Sequence, residues 1–216
     1  MFGAKCHIAA LEKGLPVHVV MVPFTDDHRY EPKHPEVLRV NPKRQVPVLV
    51  HGDVEIFDST QIFEYFEDLQ PIPHLWPAAL ADRAEARLLE LRSDEVFFPH
   101  VIRLMGLQNA LAEPLAQGAI AALHRYYAEM EMLLGEREYL NGDYSYADIA
   151  FFMAQLFAAR LGAPMKEQTE HLWAWRARLA RRAAVRLVVE QLVSTLQSAE
   201  KPIPPFMLRA VAERGR

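Results

Sequence analysis

The sequence predicts an α/β plus all-α architecture: a small α/β domain over about residues 1–76, then an all-helical domain over residues 78–216. Three observations carry this. Strand-like and helix-like apolar periodicities both occur before residue 77, and only helical spacing occurs after it. Pro71-Ile72-Pro73 and Trp76-Pro77 interrupt the chain between the two patterns. With 51% hydrophobic and 24% charged residues among 216, there is apolar material for a core in each part.

Residues 4–11 repeat apolar side chains at helical spacing, and Lys13, Gly14 and Pro16 form a full stop after them. Residues 17–22, Val-His-Val-Val-Met-Val, are short and β-branched and predict a strand. Residues 23–44, rich in Pro, Asp, His and Arg, predict a long surface connection with one helical turn at residues 36–40. Residues 46–50, the turn His51-Gly52-Asp53 and residues 54–57 predict a β-hairpin. Ile62, Phe63, Phe66 and Leu69 then mark a helix from Ser59 that stops at Pro71. In the second part a long helix carries Leu88, Leu89 and Leu91 and kinks at Pro99. The next runs from Pro114 to Gly135 with Leu123, Tyr126, Tyr127, Met130 and Leu134 as its apolar stripe. Ser145-x-x-Asp148 is a capping box opening a third, with Tyr144 and Ile149 placed for a hydrophobic staple. Two more helices are expected at residues 169–179 and 183–196, and the proline-rich stretch 201–205 is expected on the surface.

Composition excludes several functions. Lys and Arg total 24 against 28 Asp and Glu, a net charge of −4, so no bulk basic charge exists to grip nucleic acid. One cysteine rules out internal disulfides and thiolate zinc sites, and fits a reducing, cytoplasmic setting. The nine histidines show no metal-ligand spacing, so no metal is expected. The N-terminus carries no apolar signal segment, and the longest near-apolar run, residues 149–159, is half of the ~20 residues a bilayer requires, so it is a core helix. Residues 171–216 hold nine Lys or Arg against three Asp or Glu, mainly Arg176, Arg178, Arg181, Arg182 and Arg186. This cluster reads as a solvated face, with a partner-binding patch as the alternative.

Chemistry concentrates in Asn41-Pro42-Lys43-Arg44-Gln45-Val46-Pro47-Val48-Leu49 and Phe57-Asp58-Ser59-Thr60. Pro47 lacks a ladder donor, so the backbone at Val46 is expected at an edge, free to pair with an extended peptide. Ser59 opens a helix directly after a strand, and its amide and hydroxyl suit a carboxylate. Asp58 suits an ammonium, and a helix cap is the plain alternative for this pair. An edge that accepts a peptide beside a site for an amino acid's two charged groups fits glutathione.

At these residues the sequence resembles the cytosolic glutathione transferases. The resemblance rests on the helix from Phe2 to Leu15, the Asn-Pro-x-x-x-Val-Pro-x-Leu stretch at 41–49, the Asp58-Ser59 pair, and Ser145-x-x-Asp148 after Leu140-x-Gly142, spanning residues 2–196. It implies a thioredoxin-like N-terminal domain that binds glutathione as co-substrate, followed by an all-helical domain that shapes the second-substrate pocket. Val46 before cis-Pro47 would pair with the cysteinyl unit, Asp58 and Ser59 would hold the γ-glutamyl end, and Gln45 would contact the tripeptide. Lys33 matches a lysine facing the glycyl carboxylate, with His34, Lys43 and Arg44 close enough to replace it. Phe97 and Phe98, with His100, Tyr126 and Tyr127 nearby, are candidates for an apolar pocket between the domains. The resemblance further implies a homodimer acting in detoxification on a small hydrophobic electrophile. In the family a strand and a loop bearing Ser, Tyr or Cys precede the helix that begins here at Phe2, and Met1 stands just after that position. The sequence therefore starts at an internal methionine of such a protein or lacks that strand and catalytic group, and the catalytic residue stays unassigned. Cys6 lies inside the helix and is expected in the core. The rival reading is a non-catalytic relative that binds a protein, as the stringent starvation proteins bind RNA polymerase, with the arginine cluster as its contact face.

Overall fold

The structure, a computed structural model, describes residues 1–22, 31–135 and 137–212. Two compact units appear, Met1–Pro73 and His74–Arg216.

In the first unit α1 (Phe2–Glu12) ends as its sequence requires. Gly14 takes φ +65°, which lets its N–H reach Leu11 O at 3.1 Å and lets Leu15 N–H reach Ala10 O at 2.9 Å. Those two bonds are the Schellman closure that a glycine permits. α1 packs on α3 (Ser59–Leu69) through Cys6, Ile8, Ala9, Ile62, Phe63 and Phe66, all buried. Lys13 fastens the ends of these helices. Its buried ammonium donates to Gln70 O at 2.8 Å and Pro73 O at 2.9 Å and pairs with Glu67 at 2.6 Å.

Residues 17–22, expected as a strand, form none: among the described residues the sheet is the pair β1 (Val48–His51) and β2 (Val54–Phe57). Val20 and Met21 are 58% and 68% exposed. β-branched propensity reflects fit to a neighbour's pleated surface, and without a partner ladder the backbone of such a segment bonds to water. Residues 23–30 of the expected surface connection lie outside the described residues. α2 (Pro35–Val40) supplies the helical turn expected there, capped by His34, whose Nδ1 accepts from Glu36 N–H at 3.3 Å. β1 and β2 are antiparallel with Val48 opposite Phe57 and His51 opposite Val54. Gly52 heads the two-residue turn at φ +59°, which the first central position of a II′ hairpin requires.

In the second unit α4 (Leu80–Arg92) passes through a π-helical turn at Ser93–Phe97 into α5 (Phe98–Met105). The expected break at Pro99 therefore falls at the π turn, one turn of altered winding just before Pro99, across which Phe98 N–H still reaches Ser93 O. α6 (Pro114–Leu134) buries its whole predicted stripe. α7 (Tyr146–Arg160) is the centre, buried at almost every position, as an apolar helix without a polar face must be. α4 and α5 pack against it, α6 packs on α5 and α8 (Glu170–Ala180), and α9 (Ala183–Ser198) joins α8 to α10 (Pro205–Ala212). Residues 201–205 are half-buried or exposed, as expected of a surface stretch, and α10 starts from the last of them. Prolines 204 and 205 break a preceding helix but also start a new one, since a first helical turn needs no intrahelical N–H, and Met207 becomes fully buried. No helix among the described residues is long and apolar enough to cross a membrane.

Candidate functional site

The hairpin register builds the site. The ladder begins at Val48 opposite Phe57, so the residues before β1 and after β2, Val46-Pro47 and Asp58-Ser59, leave the sheet at the same end. Val46 lies outside the ladder, and the Val46-Pro47 bond is cis. Asn41 organises the approach: its Oδ1 accepts from Lys43 N–H at 2.9 Å, and its Nδ2 donates to Gln45 O at 2.7 Å. With its polar groups satisfied inside the loop, Asn41 is buried while Gln45 is exposed. In the sequence Asn41 stands only as the first residue of the 41–49 stretch. The missed signal was an Asn two residues before an exposed basic pair, the spacing of an Asx turn.

Asp58 caps α3, its carboxylate accepting from Thr60 N–H at 3.0 Å and Gln61 N–H at 3.3 Å. Its backbone takes φ +77° and ψ 131°, a region that strains any residue with a Cβ. Strain of this kind persists where the surroundings fix it, and it concentrates at binding sites. Ser59 follows in the first turn of α3, 3% exposed, and its carbonyl accepts from the Cys6 thiol at 3.8 Å. Cys6 is thus a packed core group. Lys33 pairs with Glu31 at 3.3 Å, just before the cap of α2. Arg39 of α2 bonds Glu36 and, across to β2, Glu55. Lys5, unmarked by any sequence signal, is fully buried on α1, its ammonium 5.4 Å from the ring centre of Phe2 and 5.2 Å from that of Phe63.

In the helical unit Phe97 is enclosed by Tyr126, Tyr127 and Phe151, with ring centres 5.1, 5.3 and 5.3 Å away. Phe98 meets Phe157 edge-on at 6.4 Å. Both rings are core, and Phe97 also borders a cavity beside α6. The capping box forms, and it is the start of a larger network around Asp148. Oδ1 accepts from Leu140 N–H at 3.0 Å and Trp175 Nε1–H at 2.8 Å. Oδ2 accepts from Ser145 N–H at 2.9 Å and Ser145 Oγ–H at 3.3 Å. Burial outweighs these four donors and pushes the Asp148 carboxyl up to about 6. The sequence revealed the Ser145 half of this network; Trp175, 27 positions on, has no local signature.

The arginine cluster is mostly engaged within its own unit. Arg176 lies 4.1 Å from the ring centre of Phe206, and burial pulls its guanidinium down to about 10. Arg178 donates to Glu138 O, and Arg182 stands 3.6 Å over Tyr144. No group of three or more His, Cys, Asp or Glu side chains is placed to hold a metal ion among the described residues.

Comparison with known proteins agrees with this architecture. The family description "Glutathione S-transferase, N-terminal domain" fits residues 1–69, and "Glutathione S-transferase, C-terminal domain" fits residues 89–183. A probable glutathione S-transferase, GSTU1, of Oryza sativa subsp. japonica is 30% identical over 93% of this chain and 87% of its own length. A stringent starvation protein A homolog of Coxiella burnetii is 26% identical over 68% of this chain and 66% of its own length. The crystal structure of a Tau class glutathione S-transferase from mango, Mangifera indica, superposes with a TM-score of 0.74 over 92% of this chain and 93% of that one, at 23% identity. The fold is therefore a thioredoxin-like N-terminal domain followed by a helical C-terminal domain. On both domain matches and on the rice relative's identity and coverage, this chain belongs to the glutathione S-transferase family.

Proposed function

We propose that the protein is an enzyme that conjugates the glutathione thiolate to a small hydrophobic electrophile, acting as a cytoplasmic homodimer in detoxification. One observation carries the reading: the β1–β2 register brings the out-of-ladder backbone of Val46 and the strained start of α3 to the same end of the hairpin. There Val46 would pair with the cysteinyl unit beside Pro47. The first-turn amide and hydroxyl of Ser59 would take the α-carboxylate of the γ-glutamyl end, where the helix terminus favours an anion. The Asp58 carboxylate has capacity for an ammonium beyond its two capping bonds, since an ionised carboxylate offers about four acceptor sites. Gln45, exposed at the same loop, would contact the tripeptide, and Lys33 its glycyl carboxylate. Phe97 and Phe98 would give the second-substrate pocket its apolar wall.

Calorimetry with glutathione tests this. A charge-assisted bond is worth ~1.5–3 kcal/mol, so Ser59→Ala is expected to weaken binding roughly tenfold or more. Unchanged affinity in both Ser59→Ala and Asp58→Asn would place the site elsewhere. Turnover of a generic aromatic electrophile in the presence of glutathione tests the enzymatic step.

The Coxiella burnetii relative motivates a second reading, a protein-binding relative without catalysis. Its expected contact face, the arginine cluster, is occupied at Arg176, Arg178 and Arg182 by contacts inside the helical unit, which favours the first reading. A retained fold with no glutathione binding would favour the second.

A further inference from the structure

Two arginines of the helical unit, Arg176 on α8 and Arg209 on α10, enter no ion pair and no side-chain hydrogen bond among the described residues. Other members of the cluster do: Arg178 donates to Glu138 O, and Arg186 stands 4.0 Å from Glu190. The local sequence explains the difference. The only acid of α8 is Glu170 in its first turn, and α10 carries none.

Helical spacing brings the two together. Trp173 and Arg176 are three apart on α8, and Phe206 and Arg209 three apart on α10, so each pair shares one face of its helix. The Phe206 ring centre lies 4.1 Å from the Arg176 guanidinium carbon and that of Trp173 5.7 Å, which turns the two faces toward each other. Met207, fully buried, fixes the rotation of α10. Burial lowers the Arg176 guanidinium, Tyr127 works against this and Arg209 adds to it, so the two guanidiniums stand within range of each other's charge and no described carboxylate offsets them. The Tyr127 hydroxyl itself is spent on Ala163 O at 3.1 Å. Ring contacts cover the faces of the Arg176 guanidinium and bond none of its N–H groups. A planar fork held by rings presents its N–H edge in a fixed orientation, which suits two oxygens of one anion. Two cations at one place match a dianion, and a phosphate monoester carries about −1.5 to −2 at pH 7. Trp173, 43% exposed, leaves ring surface beside the site for an aromatic substituent.

We propose that Arg176 and Arg209 form a site for a small aromatic phosphate monoester, its phosphate held between the two guanidiniums and its ring on Trp173. Every residue of the site belongs to the helical unit, and the site stands independently of glutathione recognition.

The probe is phenyl phosphate, titrated calorimetrically into the full-length protein at pH 7 and low salt, with tryptophan fluorescence as a second readout. Trp76 and Trp175 are buried, so the exposed Trp173 supplies the signal. The expected result is saturable binding with a fluorescence change, weakened by added salt. Arg209→Ala, at an exposed position, is expected to weaken binding roughly tenfold, and Arg176→Lys, which keeps the charge and loses the fork, by a similar factor. Phenol, the same ring without the charge, is expected to show no saturable binding. Circular dichroism melts establish that the variants fold, and if Arg176→Lys does not, Arg209→Ala decides alone. Absence of phenyl phosphate binding, equal affinity for phenol, or parent-like affinity in either folded variant would overturn the proposal. A glutathione titration of the same variants reports on the hairpin end of the first unit, so the two readings fail separately.

Discussion

Replacing Asp148 by Ala removes the acceptor for three buried N–H donors, those of Leu140, Ser145 and Trp175 Nε1. Each orphaned donor costs about 1–3 kcal/mol, about 6 kcal/mol together at mid-range. The substitution also relieves the burial of a charge. With the carboxyl raised from 3.8 to about 6, the ionised form is disfavoured by roughly 3 kcal/mol on folding. The net expected loss at pH 7 is therefore about 3 kcal/mol. Because the folded carboxyl holds its proton more tightly than the unfolded one, its contribution is fully present below pH ~4 and is lost as pH rises through about 6. The gap between parent and variant should accordingly be larger at pH 5 than at pH 7, by about 1 kcal/mol. Urea unfolding of the helical unit, followed by far-ultraviolet circular dichroism at both pH values, measures this. A variant within 1 kcal/mol of the parent at pH 7, or a gap that widens with pH, would refute the reasoning.

Three further outcomes are expected. Lys13→Met strips a buried cation from Glu67 and from the carbonyls of Gln70 and Pro73, and should destabilise the first unit by about 3–5 kcal/mol in a denaturant melt. Asp58→Ala should cost about 1 kcal/mol through loss of the α3 cap, whereas Asp58→Asn should keep most of it because Asn also caps and tolerates positive φ; thermal unfolding separates the two. Gly162→Ala should lower stability by at least ~1 kcal/mol, since Gly162 holds φ +104° and an added Cβ would sit 3.2 Å from the Leu111 side chain; a shift in the melting midpoint reads it.

Much of this fold was legible because its signals are local. Gly14 can take the positive φ that ends α1, Gly52 sits where the hairpin needs it, Pro114 opens α6, and Ser145 with Asp148 opens α7, each within a span of four residues. The residues of the hairpin end were legible for the same reason: Val46-Pro47 and Asp58-Ser59 flank two short strands, and the two-residue turn Gly52-Asp53 fixes their register. Tertiary structure decided what depends on distant partners. Residues 17–22 have strand propensity, but a strand is defined by a neighbour's hydrogen bonds, and that neighbour is absent among the described residues. The arginine cluster read as solvated because charge alone is visible in a sequence. Tyr144 and Phe206, which cover Arg182 and Arg176, come from segments brought close only by packing. Lys5 in the core and Trp175 on Asp148 follow the same rule. A side chain's burial and partners are set by whatever elements pack over it, and the chain's own periodicity carries no record of them.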